Sequence, residues 1–127
     1  MADRRATGRR GEALAARYLE QQGYQLVERN YRCAAGEIDL VVQTGDALVF
    51  VEVRTRRSVA LGTPEESITP AKAQRLIALA WTYLQERQAT EAAEATEVAW
   101  RIDVIAIELD RRGRVRRLNH VPYAVEA

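Results

Sequence analysis

Asp39 and Glu52 are the two residues whose types and spacing suggest chemistry. They lie in a stretch from Gly36 to Arg54, in which two Val- and Leu-rich runs flank a Gly45-Asp46 pair. A Gly-Asp pair between two such runs is typical of a two-residue β-hairpin loop. With this pair as the loop, counting back along both strands sets Asp39 directly opposite Glu52.

Two carboxylates that oppose each other on neighbouring strands have Cβ atoms about 4.5–5.5 Å apart, and they repel each other. A divalent cation would neutralise both, because hard oxygen ligands at this separation suit Mg²⁺ or Mn²⁺. The alternatives are that one carboxyl is protonated or turned to solvent, or that the register slips by one residue. The same register places Glu37 opposite Arg54, where the two would form an ion pair.

Side chains alternate along each strand, so one face of the hairpin is expected to be a continuous apolar surface. Its six members are Ile38, Leu40, Val42, Val49, Val51 and Val53.

The composition is that of an ordinary globular domain: 127 residues, 47% apolar and 29% charged, with a net charge of +1. Lys72 is the only lysine among 19 basic residues. No stretch has the roughly 20 apolar residues that a membrane span needs, and the N-terminus lacks a signal-peptide core. Cys33 is the only cysteine and His120 the only histidine, so a disulfide within the chain is excluded and a reducing cytoplasm is expected.

Residues 1–10 are polar and basic and contain Gly8, which predicts a flexible basic arm before a single domain at 11–127. A helix is predicted from about Gly11 to Gln22, with Gly23 as its C-terminal cap. Glu12 would then lie in the first turn, where a carboxylate favourably meets the helix dipole. On the residues alone, this structural role is preferred for Glu12.

The remaining elements are predicted from local pattern in the following order: a strand at Tyr24 to Tyr31, the hairpin, a basic segment at 55–58 and an irregular loop, a helix from Thr69-Pro70 to about Gln88, a low-complexity segment at 88–97, a strand at 98–109, and a short strand from Val115 to Leu118. The last strand of the hairpin, the long helix and the 98–109 strand form a crossover unit, whose strands are parallel. The fold class is therefore α/β, with a mixed central sheet flanked by helices. Asp103, within the buried 98–109 strand, is expected to bond a neighbouring arginine and is a secondary site candidate.

Three motifs resemble those of a known family: Gly11-Glu12, Gly36-Glu37-Ile38-Asp39-Leu40, and Phe50-Val51-Glu52-Val53-Arg54-Thr55-Arg56. They are similar to the YraN-type bacterial proteins of the restriction-endonuclease-like PD-(D/E)XK superfamily and, more distantly, to archaeal Holliday-junction resolvases. The resemblance extends from Gly8 to about Tyr123. It implies the αβββαβ core of that superfamily, which agrees with the order of elements above.

The resemblance also implies a magnesium-dependent phosphodiesterase site. Asp39, Glu52 and the backbone carbonyl of Val53 would hold the Mg²⁺ or Mn²⁺ ion, with Glu12 reaching it directly or through water. Arg54 stands where the superfamily has lysine. Arginine remains protonated in proteins, so it can clamp a phosphate but cannot act as a general base.

The expected activity is therefore a metal-dependent nuclease acting on DNA, including branched or single-stranded forms. Basic residues around the site are expected to contact the nucleic acid: Arg9, Arg10, Arg56, Arg57 and Lys72, the last of which is also a candidate for supplying the missing ammonium. Resolving a junction takes two sites, which would require a homodimer. The alternatives are a catalytically degenerate nucleic-acid-binding module and an interaction protein that only uses the fold.

Overall fold

The computed structural model describes residues 4–57, 62–90 and 99–125, which form a five-stranded mixed sheet with a helix against each face. Its elements are α1 (Arg4–Gln21), β1 (Gln25–Cys33), β2 (Gly36–Thr44), β3 (Ala47–Arg56), a 3₁₀ turn (Glu65–Ser67), α2 (Pro70–Thr90), β4 (Trp100–Leu109) and β5 (Val115–Val125). The strands lie in sequence order, and only the β3–β4 pair is parallel. The predicted αβββαβ core and the parallel pairing of the crossover strands are confirmed, with β5 added at one edge. Among the described residues, no helix is both long and apolar enough to cross a bilayer.

Helix α1 begins at Arg4, so the prediction of a flexible arm is wrong for residues 4–10; residues 1–3 lie outside the described range. Glycine costs a helix only about 1 kcal/mol, and packing against the sheet offsets that cost. Gly11 is buried where α1 passes over Thr55, and a Cβ at this position would overlap the Thr55 hydroxyl. Because the helix starts earlier than predicted, Glu12 is not in its first turn and the helix-dipole interpretation of Glu12 is wrong.

The predicted hairpin turn is confirmed. Thr44 pairs with Ala47 across the Gly45-Asp46 loop, and Gly45 has the left-handed φ of 56° that such a turn requires. The antiparallel ladder continues from this turn as far as the pair Leu40 and Val51.

The predicted apolar face is continuous except at its far end. Leu40 and Val42 pack with α1 residues, as do Val49, Val51 and Val53 of β3, whereas Ile38 packs against α2 together with Val41. The alternation of β2 therefore changes between Ile38 and Leu40, which is at Asp39. At this point the backbone N–H of Val53 donates to Asp39 Oδ2 at 2.8 Å.

Helix α2 has the predicted cap, since the backbone N–H of Lys72 donates to Thr69 Oγ1 at 3.2 Å. The helix extends to Thr90, and the rest of the low-complexity segment, with Val98, lies outside the described residues. Strand β5 reaches Val125, so the prediction that it ends at Leu118 is wrong. Pro122 does not interrupt it because β5 is an edge strand, where a missing N–H is tolerated.

Asp103 is fully buried within β4, and a set of donors satisfies its carboxylate. Arg101 Nε donates to it at 3.0 Å, as predicted for a neighbouring arginine, and His120 Nε2 lies 2.7 Å away. The backbone N–H of Tyr123 completes the set at 3.1 Å. These contacts tie β5 to β4 and explain Asp103 as a structural residue.

Candidate metal centre

Three carboxylates meet where α1 passes the first residues of β2. Glu12 comes from α1, and Glu37 and Asp39 come from β2. One oxygen of each lies within 4.8 Å of the others. Glu52 of β3 adjoins this group, since its carboxylate is close enough to that of Asp39 to raise the pKa of Asp39. The predicted site residues Glu12, Asp39 and Glu52 are thus brought together.

The break in the strand pattern at Asp39 creates this arrangement. Beyond the pair Leu40 and Val51, the Asp39 carboxylate takes the place of a backbone acceptor for the N–H of Val53. Its carboxylate therefore lies between the Glu12 of one helix and the Glu52 of the neighbouring strand.

The carboxyl groups have the electrostatic signature of a site that lacks countercharge. Burial, followed by the hydrogen bond and charge of Glu52, raises the pKa of Asp39 to about 8. Burial, followed by the charge of Asp39, raises the pKa of Glu12 to about 7. Without a cation these two groups retain protons near neutral pH, and a bound cation would replace those protons.

The donor set fits a hard divalent cation. Carboxylate oxygens of α1 (Glu12) and β2 (Glu37 and Asp39) face one another at short range, with Glu52 of β3 beside Asp39. Such ligands suit Mg²⁺ or Mn²⁺. Val53 lies at the site, but its described contact is made by the backbone N–H, so a role for its carbonyl stays a prediction.

The predicted ion pair between Glu37 and Arg54 is wrong. The ladder between β2 and β3 ends before their positions, and Glu37 instead pairs with Arg32 at 3.5 Å. Arg54 Nε donates to Ser67 Oγ at 2.8 Å, in the turn between β3 and α2. Glu37 is therefore left beside Glu12 and Asp39, where it becomes a fourth acidic group of the site.

Lys72 faces the same region from α2. Burial and then the charge of Arg54 lower its pKa, while the charge of Glu52 raises it, and Arg75 and Arg56 add smaller lowering effects. Lys72, Arg54 and Arg56 are thus near enough to Glu52 and to one another to form a basic border on the α2 side of the carboxylates.

A cleft of about 220 Å³ opens on the other side, next to Glu12. Its lining is Arg9, Glu12, Ala13, Arg29, Asn30 and Leu40. Arg9 therefore lies in the cleft beside Glu12, while its contact with nucleic acid stays a prediction. The charge of Arg29 lowers the pKa of Glu12.

Arg10 and Arg57 lie further away, where the first turns of α1 meet the β4–β5 turn. Arg10 Nε donates to the carbonyl of Gly113 at 2.6 Å, and Arg57 Nε donates to Thr7 Oγ1 at 3.0 Å. These two arginines are held at the border of the site and do not contact its carboxylates through these bonds.

Sequence reasoning missed two residues of the site, Glu37 and Asn30. Glu37 had a signal, because it stands two residues before Asp39, but the regular register assigned it to Arg54. Hydrophobic periodicity gave no signal for Asn30. It lies in β1 with a left-handed φ of 51°, and its side chain reaches the carboxylates.

Comparison with known proteins identifies close relatives over most of the chain. A family model described as "Uncharacterised protein family UPF0102" matches residues 11–107. A UPF0102 protein of Pelotomaculum thermopropionicum is 51% identical over 121 residues, covering 94% of this chain and 96% of its own. One from Roseiflexus castenholzii is 47% identical, covering 94% and 98%, and one from Geotalea uraniireducens is 40% identical, covering 98% and 93%.

Proposed function

Because the chain belongs to the uncharacterised protein family UPF0102, which is of the restriction-endonuclease-like superfamily, we propose that it is a metal-dependent nuclease hydrolysing DNA phosphodiester bonds. The observation that carries this proposal is the position of Asp39, whose carboxylate lies between those of Glu12 and Glu52 with its pKa raised to about 8. With all its carboxyls ionised, such a cluster is electrostatically unfavourable unless a cation occupies it.

Asp39, Glu52 and Glu12 are the residues that would hold Mg²⁺ or Mn²⁺, with the Val53 carbonyl as a further ligand. Bound there, the ion would act as a Lewis acid towards a phosphate oxygen and lower the pKa of a bound water.

Arg54 and Lys72 would act on the phosphate from the α2 side. Arg54 is held by Ser67 and stays protonated, so its role is to stabilise negative charge that develops on phosphate oxygens. Lys72 adds an ammonium group near Glu52, in the region where the superfamily lysine would be expected.

The substrate would be DNA that reaches the site as a single strand or from a branched structure. Five basic residues border the site and would contact its phosphates: Arg9, Arg10, Arg56, Arg57 and Lys72. Activity on a four-way junction would require two copies of the site and hence a homodimer.

The test is a calorimetric Mn²⁺ titration combined with a cleavage assay on a labelled single strand and a four-way junction. Wild type is expected to bind Mn²⁺ and to cleave, whereas Glu52→Gln and Asp39→Asn lose both properties. Asp46→Asn, which removes a carboxylate from the remote hairpin loop, is the matched control and is expected to behave as wild type. A wild type that binds no Mn²⁺ would overturn the proposal, and equal cleavage by all variants would assign the cleavage to a contaminant.

Arg54 is the observation that favours a second candidate, a catalytically degenerate nucleic-acid-binding module. Arginine remains protonated in proteins, so it cannot act as a general base at the position of the superfamily lysine, and the hydrogen bond to Ser67 engages one of its donors. This candidate predicts salt-sensitive nucleic-acid binding with no cleavage in any divalent metal. A protein that binds neither metal nor nucleic acid would instead be an interaction protein built on the same fold.

A further inference from the structure

Asn30 has an unusual backbone conformation beside the carboxylates. It lies in β1 between the pairs Arg29 with Leu40 and Tyr31 with Ile38, and therefore opposite Asp39. Its φ of 51° is in the left-handed region, which asparagine adopts more readily than most residues but still at a cost. Such a conformation persists where the surrounding structure requires it.

The Asn30 side chain connects two of the acidic residues. With its amide nitrogen turned towards the carboxylates, it donates to Glu37 Oε1 at 2.7 Å and to Glu12 Oε2 at 3.2 Å. These acceptors belong to different elements, since Glu37 is in β2 and Glu12 is in α1. A single neutral amide thus links the helix to the sheet at the cluster.

We propose that Asn30 is a positioning residue that holds the Glu12 and Glu37 carboxylates in the arrangement that receives the divalent cation. The inference rests on the proposed function, because it assumes that the cluster binds a metal. A neutral double donor suits this task, since it orients two anions without adding charge of its own. The left-handed backbone of Asn30 directs the amide between them.

Glycine at position 30 allows the effect of the side chain to be tested apart from that of the backbone, because glycine adopts a φ of 51° without strain. Asn30→Gly therefore removes the amide and keeps the strand geometry. We expect its Mn²⁺ affinity to fall about 10–100-fold, the usual effect of removing a group that orients a metal ligand. Its metal-free thermal unfolding midpoint is expected to remain that of wild type.

Tyr123→Gly is the matched control. Apart from Asn30, Tyr123 is the one non-glycine residue among those described that has a left-handed φ, 53°. It lies next to Asp103 and not at the carboxylate cluster. The same substitution there is expected to leave Mn²⁺ affinity unchanged.

Asn30→Asp provides a second variant that also tolerates the left-handed backbone. It replaces a donor by a further carboxylate, so we expect a lower unfolding midpoint without metal and a larger Mn²⁺-induced rise in that midpoint than in wild type. Were the side chain directed away from Glu12 and Glu37, neither value would change.

The two possible failures are distinguishable in the same titration. If wild type binds Mn²⁺ and Asn30→Gly binds it equally well, the role of Asn30 is overturned and the proposed function stands. If Asn30→Gly loses stability but keeps its Mn²⁺ affinity, Asn30 serves folding and the inference is again overturned. If wild type binds no Mn²⁺, the proposed function fails, and the inference fails with it.

Discussion

Asp39 and Glu12 share one physical problem, which is negative charge placed where water is partly excluded. Burial is the largest cause of the raised pKa of both groups, and neighbouring carboxylates add to it. In the metal-free protein, the problem is solved by retained protons, and in the proposed metal-bound protein it would be solved by the cation. Protonation and the proposed metal binding would thus be alternative states of one site.

The raised pKa of Asp39 predicts how metal-free stability depends on pH. Between pH 4 and 8, the folded protein holds a proton that the unfolded chain releases, because the pKa is 3.8 in a model carboxyl and about 8 in the fold. The free energy of unfolding should therefore fall as the pH rises through this window. Asp39→Asn removes this contribution and, at pH 8.5, should be more stable than wild type by at least about 1 kcal/mol, or at least roughly 3–5 °C in unfolding midpoint, since one pKa unit alone corresponds to about 1.4 kcal/mol.

The measurement is thermal unfolding in EDTA at pH 4 and pH 8.5, repeated with Mn²⁺. At pH 4 the two proteins should be nearly equal, and Mn²⁺ should stabilise only wild type. A metal-free wild type that is the more stable of the two at pH 8.5 would contradict the raised pKa.

At the residue scale, strand alternation and the Gly45-Asp46 turn were sufficient to predict that Asp39 and Glu52 lie close together, although the paired ladder ends one residue before them. They were not sufficient for Glu37 and Asn30. The positions of these two residues follow from the break in strand alternation at Asp39 and from the left-handed backbone at Asn30. Neither feature can be detected in the hydrophobic periodicity of the sequence.

At the scale of elements, helix α1 holds Glu12 over the sheet because Gly11 lets the helix approach β3 closely. A Cβ at position 11 would overlap the hydroxyl of Thr55, and that hydroxyl is buried with no hydrogen-bond partner among the described atoms. Helix and strand are therefore in close contact one residue from a proposed metal ligand.

Gly11→Ala is expected to destabilise the protein by about 1–3 kcal/mol, the usual cost of overpacking, and to weaken Mn²⁺ binding as Glu12 moves away from Asp39. Gly8→Ala is the matched control in the same helix, since a Cβ there meets nothing within 4 Å. That substitution should stabilise by about 0.5–1 kcal/mol, because alanine is the better helix former. Urea unfolding of both variants measures the difference, and an equal effect of the two would contradict the close packing at Gly11.

The turn between β3 and α2 positions Arg54 from a second direction. Glu65 in this turn accepts two hydrogen bonds from Arg117 of β5, each 2.7 Å long, and one from Asn119 at 3.0 Å. The Arg117 hydrogen bonds are the main reason that the pKa of Glu65 is lowered to about 2. Ser67, two residues later, accepts from Arg54, so the edge strand β5 fixes the turn that orients this arginine.

The predicted start of α1 and the predicted end of β5 were wrong for a common physical reason. Local signals located the Gly23 stop of α1 and the Thr69 cap of α2, because those residues make their own local bonds. The start of α1 and the end of β5 depend on tertiary contacts instead. Arg10 bonds Gly113 and His120 bonds Asp103, and both pairs are more than 15 residues apart in sequence.

At the scale of the whole molecule, the sheet has two polar regions with different roles. The carboxylates lie at the end where β3 leaves the sheet, while Arg101, Asp103 and His120 form an internally satisfied network towards the start of β4. The order of elements was predictable because the strand signals and the crossover rule allow few arrangements. The sequence could not show which of the two buried acids is structural, because that depends on their partners. Asp103 has three hydrogen-bonding partners, whereas Asp39 faces other acids.

The distribution of arginine, rather than net charge, determines how the molecule would meet nucleic acid. With a net charge of +1, the chain has no strong overall field, so attraction must come from the five bordering residues named above. If all five contact phosphates of a single strand, the logarithm of the binding constant should fall with the logarithm of salt concentration with a slope of about −3.5.

Removing one of these charges should reduce the slope by about 0.7 for a single strand, and Arg9→Gln is the sharpest choice because Arg9 lines the cleft beside Glu12. Arg17→Gln is its matched control: an exposed arginine on the same helix, about 12 Å further along the axis. Fluorescence anisotropy of a labelled single strand in EDTA, across a salt series, measures both. Equal slopes for Arg9→Gln and wild type would remove the cleft from the path of the nucleic acid, whereas a reduced slope confined to Arg9→Gln would place a phosphate next to the carboxylates.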